Sequence, residues 1–151
     1  IYEHSPWVAA DAFDRAGGKP NADQLPDVLA AAVDKADSER QLALIRAHPD
    51  LAGRAAIRGE LTAESTSEQA SAGIDQCTPA EFERFQELNA AYKAKFGFPF
   101  VMAVRNSSRQ EILQAFVVRL EHDYDREFAT AIAEIHKIAA LRLRAMSKDT
   151  P

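Results

Sequence analysis

The run Phe98-Pro99-Phe100-Val101-Met102-Ala103-Val104 is the one stretch of this sequence that reads as a buried strand, and no second strand exists to pair with it. A strand without a neighbour leaves its backbone N–H and C=O groups unsatisfied inside a core. The run is therefore expected as an extended buried segment in a protein that is otherwise helical. With 151 residues and 46% hydrophobic content, the chain suits a single core. The expectation is an all-α fold, a single-domain multi-helix bundle over residues 1–151.

The punctuation is that of helices. Ser5-Pro6-Trp7 places a capping residue before a proline in the first turn, and this helix should run to about Ala16 and stop at Gly17-Gly18. Lys19 to Gln24 reads as a polar loop. Pro26 opens a helix over Asp27 to Ala36, with Val28, Leu29, Ala32 and Val33 on one face. Ser38 and Gln41 have the spacing of a capping box for Glu39 to Ala47. Two short helices are expected between Leu51 and Ile74, with Gly53, Gly59 and Gly73 as breaks. Thr78-Pro79-Ala80-Glu81 is a clear helix start, and Phe82, Phe85, Leu88, Ala91 and Tyr92 should share the apolar face before Gly97. After Asn106-Ser107-Ser108 a helical pattern runs almost to the end. The polar patch Glu121 to Arg126 implies two helices there or one bent one.

Charge and spacing exclude several functions. Eighteen basic against 23 acidic residues give a net charge of -5. Without a block of Lys or Arg no nucleic-acid partner is expected. No apolar run approaches the roughly 20 residues of a membrane helix, and no secretory leader is visible. The single cysteine, Cys77, rules out an intrachain disulfide and fits a reducing compartment. The C-terminus is no peroxisomal Ser-Lys-Leu signal, so cytoplasmic is the default expectation. Phosphate-loop, dinucleotide-binding, serine-elbow and Cys-x-x-Cys patterns are absent. The histidines at 4, 48, 122 and 136 lack the helical spacing of metal ligands. Chemistry without metal or cofactor remains open, and the expected partner is a small molecule or a protein.

His48 is the candidate for that chemistry. It precedes Pro49, which disfavours helix, at the end of an apolar helical run. An imidazole titrating near neutral pH can give or take a proton there; equally, it can cap the last carbonyls of its helix. Ser65, Glu68 and Gln69 have two readings as well. Ser65 and Glu68 fit a capping box with Gln69 on a solvated face, or all three line one wall of a polar pocket. The 98–104 backbone can offer N–H groups to an anionic ligand, and Arg105 can hold a carboxylate or lie at the surface. Arg119, Arg142 and Arg144 are expected to be solvated, His4 and His136 structural, and His122 on the surface.

The segments "YEHSPWVA" at 2–9, "IRAHPDLAGRAA" at 45–56, "LTAESTSEQASAG" at 61–73, "LNAAYKAKFGFPFVMAVRN" at 88–106 and "EIHKIAALRLR" at 134–144 together resemble the OHCU decarboxylases. These enzymes act on 2-oxo-4-hydroxy-4-carboxy-5-ureidoimidazoline (OHCU), giving (S)-allantoin in the last step of urate conversion. The resemblance implies an all-helical, cofactor-independent carboxy-lyase, commonly a homodimer. It implies His48 as proton donor with Pro49 beside the substrate, and Ser65, Glu68 and Gln69 contacting it. On physical grounds, a neighbouring carboxylate such as Glu68 can set the histidine's tautomer or raise its pKa. It further implies that the backbone of Phe100, Val101, Met102, Ala103 and Val104 closes the pocket. Family members carry a helical segment before the Tyr-Glu-His-Ser-Pro-Trp motif; this sequence begins at Ile1, so that segment is expected to be missing here.

Overall fold

The computed structural model describes residues 2, 4–17, 24–51, 62–105 and 107–148. Those residues form seven α-helices: α1 (Trp7–Ala16), α2 (Leu25–Asp34), α3 (Ser38–Arg46), α4 (Ala63–Ser71), α5 (Pro79–Phe96), α6 (Arg109–Leu120) and α7 (Tyr124–Lys148). A 3-10 turn (Ile74–Gln76) separates α4 from α5, and no strand occurs among the described residues. α1 packs on α2, α5 on α6, and α7 runs against both α2 and α3. No helix among the described residues is long and apolar enough to cross a membrane.

Local chemistry accounts for most helix ends. Thr78 and Glu81 close the expected capping box, each bonding the other's backbone N–H at 3.1 and 3.0 Å. Gly97 ends α5 at φ 76°, a left-handed conformation that favours glycine. Ser108 caps α6 by accepting from the Glu111 N–H. Other caps fall one residue or more from their expected positions. At α1 the N-cap is Pro6, without a side-chain cap. Asp37, not Ser38, caps α3 by accepting from Arg40 N–H at 2.8 Å, and Gln41 donates instead to the Val33 carbonyl. α2 stops at Asp34. The polar patch resolves as a true break between α6 and α7. Of the two short helices expected between Leu51 and Ile74, one is α4; the other falls outside the described residues.

An aromatic cluster sits at the centre. Tyr92 contacts Phe96, Phe98, Phe100 and Phe116, and the last two stack at a centroid distance of 3.7 Å. Phe85 and Leu88 share this buried face of α5, whereas Ala91, expected with them, is exposed. Segment 98–104 has no helix or strand, its Phe98 and Phe100 join the cluster, and side chains hold it. Arg119 of α6 donates to the Val101 carbonyl at 2.7 Å and lies 4.2 Å over the Phe100 ring. Glu134 of α7 accepts from the Ala103 N–H at 3.2 Å.

Arg119 was expected in solvent, but its guanidinium is buried against Glu127, which is fully buried. Glu127 also accepts from Tyr92 and from His122 Nδ1, so His122 is a partner in the core network and not a surface residue. Burial alone would raise the Glu127 carboxyl's pKa. Hydrogen bonds from Arg119, Tyr92 and His122, with the Arg119 charge, outweigh that and hold it below the usual carboxylate value. His136 is structural, as expected: it takes the Tyr2 hydroxyl on Nδ1 and gives Nε2–H to Asp34, each at 3.0 Å.

A carboxyl whose native pKa is depressed stabilises the fold above its unfolded pKa, and that stability drains as pH falls through the native value. Urea unfolding of the wild type should therefore weaken progressively below about pH 4.5. Glu127→Gln should cost about 3 kcal/mol at pH 7 yet lose less on acidification. Parallel pH profiles for the two proteins would contradict this.

Candidate active site

The site begins where α3 ends. Pro49 disfavours a helical conformation at His48, and the imidazole folds back so that Nδ1 meets the Leu44 carbonyl at 2.9 Å. A carbonyl only accepts, so Nδ1 carries the proton, and proton exchange falls to Nε2. The His48 side chain thus satisfies the helix-capping reading and lines a cavity at once. Its tautomer is set by the Leu44 carbonyl, where the sequence reading had offered Glu68.

Residues 50 and 51, directly after His48 and Pro49, are clamped from two helices, α4 and α5. Gln69 donates to the Asp50 carbonyl at 3.3 Å, Asn89 to the Leu51 carbonyl at 2.9 Å, and Lys93 pairs with the Asp50 carboxylate at 2.6 Å. These contacts give the loop bearing His48 a fixed backbone without secondary structure.

The facing wall is α4. Its N-cap is Thr62, whose hydroxyl accepts from Ser65 N–H at 3.2 Å. Ser65 is thereby inside the first turn, and the capping-box reading of Ser65 with Glu68 fails. Ser65, Glu68 and Gln69 are all buried. Glu68 is held by Arg142, whose Nε and terminal nitrogen donate to the two carboxylate oxygens at 3.2 and 2.7 Å. The same terminal nitrogen lies 3.2 Å from Ser65 Oγ. A two-pronged guanidinium–carboxylate contact of this kind is strong and fixed in direction.

Arg142, like Arg119, is a residue that the sequence reading misplaced. It was expected in solvent and is 5% exposed. The signal was present in the register of α7: Ala131, Ile135, Ile138 and Ala139 are buried on one stripe, and Arg142 continues it four residues after Ile138. An arginine in an apolar register needs a buried partner.

His48, Pro49, Ser65, Glu68, Gln69, Phe100, Val101, Met102 and Val104 line one cavity, joined by Leu51, Ile138 and Arg142. Two expected members stand apart. Ala103 does not line the cavity, since its N–H is engaged by Glu134. Arg105 lies in the turn beyond the segment, outside the lining residues, and its Nε is buried without a hydrogen-bond partner among the described residues. The cavity therefore has a charged, hydrogen-bonding end at Glu68 and Arg142, an apolar wall from 100 to 104, and an imidazole. That combination can bind a small polar anion and exchange one proton with it.

Comparison with known proteins bears on this arrangement. A family profile described as OHCU decarboxylase matches residues 1–144. A 2-oxo-4-hydroxy-4-carboxy-5-ureidoimidazoline decarboxylase of Halalkalicoccus jeotgali is 46% identical over 147 residues, covering 97% of this chain and 81% of the relative. A crystal structure described as (S)-allantoin synthase matches with a TM-score of 0.72 at 35% identity, over 95% of this chain and 46% of its own longer length. A crystal structure of OHCU decarboxylase in the presence of (S)-allantoin matches with a TM-score of 0.74 over 97% of this chain and 99% of its own. At 20% identity it speaks for the fold.

Removing one member of a buried ion pair strands the other. Arg142→Met should lower stability by about 3–5 kcal/mol in urea unfolding, and adding Glu68→Leu should recover much of the loss. An Arg142→Met protein as stable as the wild type would show that the pair is not carrying Glu68.

Proposed function

The chain belongs to the OHCU decarboxylase family, and from that premise we propose that it decarboxylates OHCU to (S)-allantoin and CO₂, with His48 as the proton donor. The single observation that carries this reading is the convergence of His48, from the loop after α3, with Glu68 of α4 and Arg142 of α7 on one cavity.

The chemistry matches the groups present. The substrate bears a carboxylate and a hydroxyl on one ring carbon, next to the unsaturated carbon that holds the ureido group. When the C–CO₂ bond breaks, its electron pair moves into the adjacent ring C=N, so the substrate's own ring acts as the electron sink. The resulting enol then gains a proton at the ureido-bearing carbon, while its hydroxyl proton passes to the ring nitrogen that took up the electron pair and the oxygen becomes the carbonyl of allantoin. That protonation creates the stereocentre, and a fixed acid decides its face.

His48 is suited to this task because its ring is held at both ends of its restraint, by Pro49 in the backbone and by Leu44 at Nδ1. The proton delivered is the one on Nε2 of the imidazolium. Arg142 offers positive charge to the substrate carboxylate. Glu68, kept in place by that arginine, accepts from substrate N–H or O–H groups. The apolar 100–104 wall excludes water, which strengthens each of these contacts. Assembly as a homodimer belongs to the same reading, and light scattering on the purified protein measures it.

The test uses OHCU generated fresh from urate by urate oxidase and hydroxyisourate hydrolase. Added protein should produce a rapid (S)-allantoin circular-dichroism signal. His48→Asn should fold normally and lose about 10²–10⁴ in rate. A folded His48→Asn enzyme with wild-type turnover would remove the histidine from the mechanism, and slow racemic product with the wild type would remove the substrate.

A further inference from the structure

Arg119 takes no part in the proposed chemistry, yet every direction of its guanidinium is used. Nε lies 3.2 and 3.0 Å from the two Glu127 oxygens, and one terminal nitrogen donates to the Val101 carbonyl at 2.7 Å. The other lies 3.0 Å from Glu127 Oε2 and 3.4 Å from the Tyr92 hydroxyl, while the plane covers the Phe100 ring. Glu127 is itself oriented by Tyr92 and His122. Such a fork, joining a carboxylate to a backbone carbonyl while lying on an aromatic face, is geometry that lysine does not reproduce.

Its effect reaches the cavity through one peptide group. Segment 98–104 has no ladder partner, so side chains set its peptide planes. No cis peptide occurs among the described residues, and in a trans peptide the C=O and N–H point in opposite directions. Fixing the Val101 carbonyl on Arg119 therefore turns the Met102 N–H away from Arg119. Met102 lines the cavity and Arg119 does not. The next peptide is set in the reverse sense, because the Ala103 N–H is turned to Glu134. Among the described residues no acceptor takes the Met102 N–H, and N–H groups in such surroundings seldom stay unpaired.

We propose that Arg119 is a positioning residue for the ligand-binding wall: by holding the Val101 carbonyl it presents the Met102 N–H to the cavity, as a donor to a ring or ureido carbonyl oxygen of the ligand. The inference rests on reading the cavity as the OHCU site, and it adds a residue that acts only through the backbone. Loss of this alignment raises KM and weakens product binding more than it lowers kcat, since the N–H grips a carbonyl present in both ground state and product.

The sequence allows a direct test, because it contains two methionines, Met102 and Met146. Labelling with [¹⁵N]methionine gives an amide signal in the wall and a control in α7, outside the cavity lining. Titration with (S)-allantoin should move the Met102 signal and leave Met146 in place. Arg119→Lys should shift the Met102 signal in the free protein, weaken allantoin binding about tenfold, the worth of roughly one hydrogen bond, and raise KM for OHCU with a smaller change in kcat. Arg119→Lys with a wild-type Met102 signal overturns the inference whatever the ligand does. If that variant fails to fold, the wild type still decides: a silent Met102 amide while calorimetry records allantoin binding overturns the donor role and leaves the decarboxylase reading standing. No binding by calorimetry together with no turnover of OHCU removes both.

Discussion

Glu68 is a carboxylate out of water, and the cavity exists in its observed form because Arg142 meets it there. The two residues lie 74 positions apart in sequence, and their bidentate contact ties α7 to α4 at the cavity. Desolvating two charges is costly, and the cost is offset only when distance and direction are both good. The geometry here satisfies both, and Ser65 takes a further bond from the same guanidinium. Without the pair, nothing would hold a hydrogen-bonding carboxylate opposite His48.

The same helix repeats the device one end away. α7 is 25 residues long, roughly 37 Å at the α-helical rise, and its inward stripe carries Glu127, Glu134 and Arg142 among Ala131, Ile135 and Ile138. Glu127 anchors Arg119 and so the Val101 carbonyl; Glu134 takes the Ala103 N–H; Arg142 takes Glu68. A single helix thus sets both the unpaired wall and the charged end of the cavity. The cost of burying these groups is the reason each is paired, and the pairing supplies the rigidity that the proposed one-sided proton delivery needs.

How far the sequence disclosed this depends on whether the signal was local. The capping box at Thr78, the break at Gly97 and the exclusion of a strand at 98–104 are properties of a few neighbouring residues, and they appear where expected. The polar pocket residues Ser65, Glu68 and Gln69 were legible as a helical face, although Thr62 took the cap that Ser65 was offered. The three-dimensional partners were not legible in that way. Arg119 and Arg142 look like solvated residues until the helix register is followed inward, and His122 needed Glu127 beside it to leave the surface. Ala103 shows the limit most clearly, since its neighbours face the cavity while its N–H is turned to Glu134.

His48 joins the two levels. Its position before Pro49 is a sequence fact, but the bond from Nδ1 to the Leu44 carbonyl, which leaves the exchangeable proton on Nε2, belongs to the fold. The central claim is that this nitrogen, opposite the Glu68–Arg142 pair, faces the carbon that becomes chiral. The most direct measurement is a crystal structure of the protein with (S)-allantoin bound. The account predicts the ligand in the cavity with its ureido-bearing carbon next to His48 Nε2 and its polar groups at Glu68 and Arg142. A ligand bound elsewhere, or seated with that carbon turned away from His48, would contradict it.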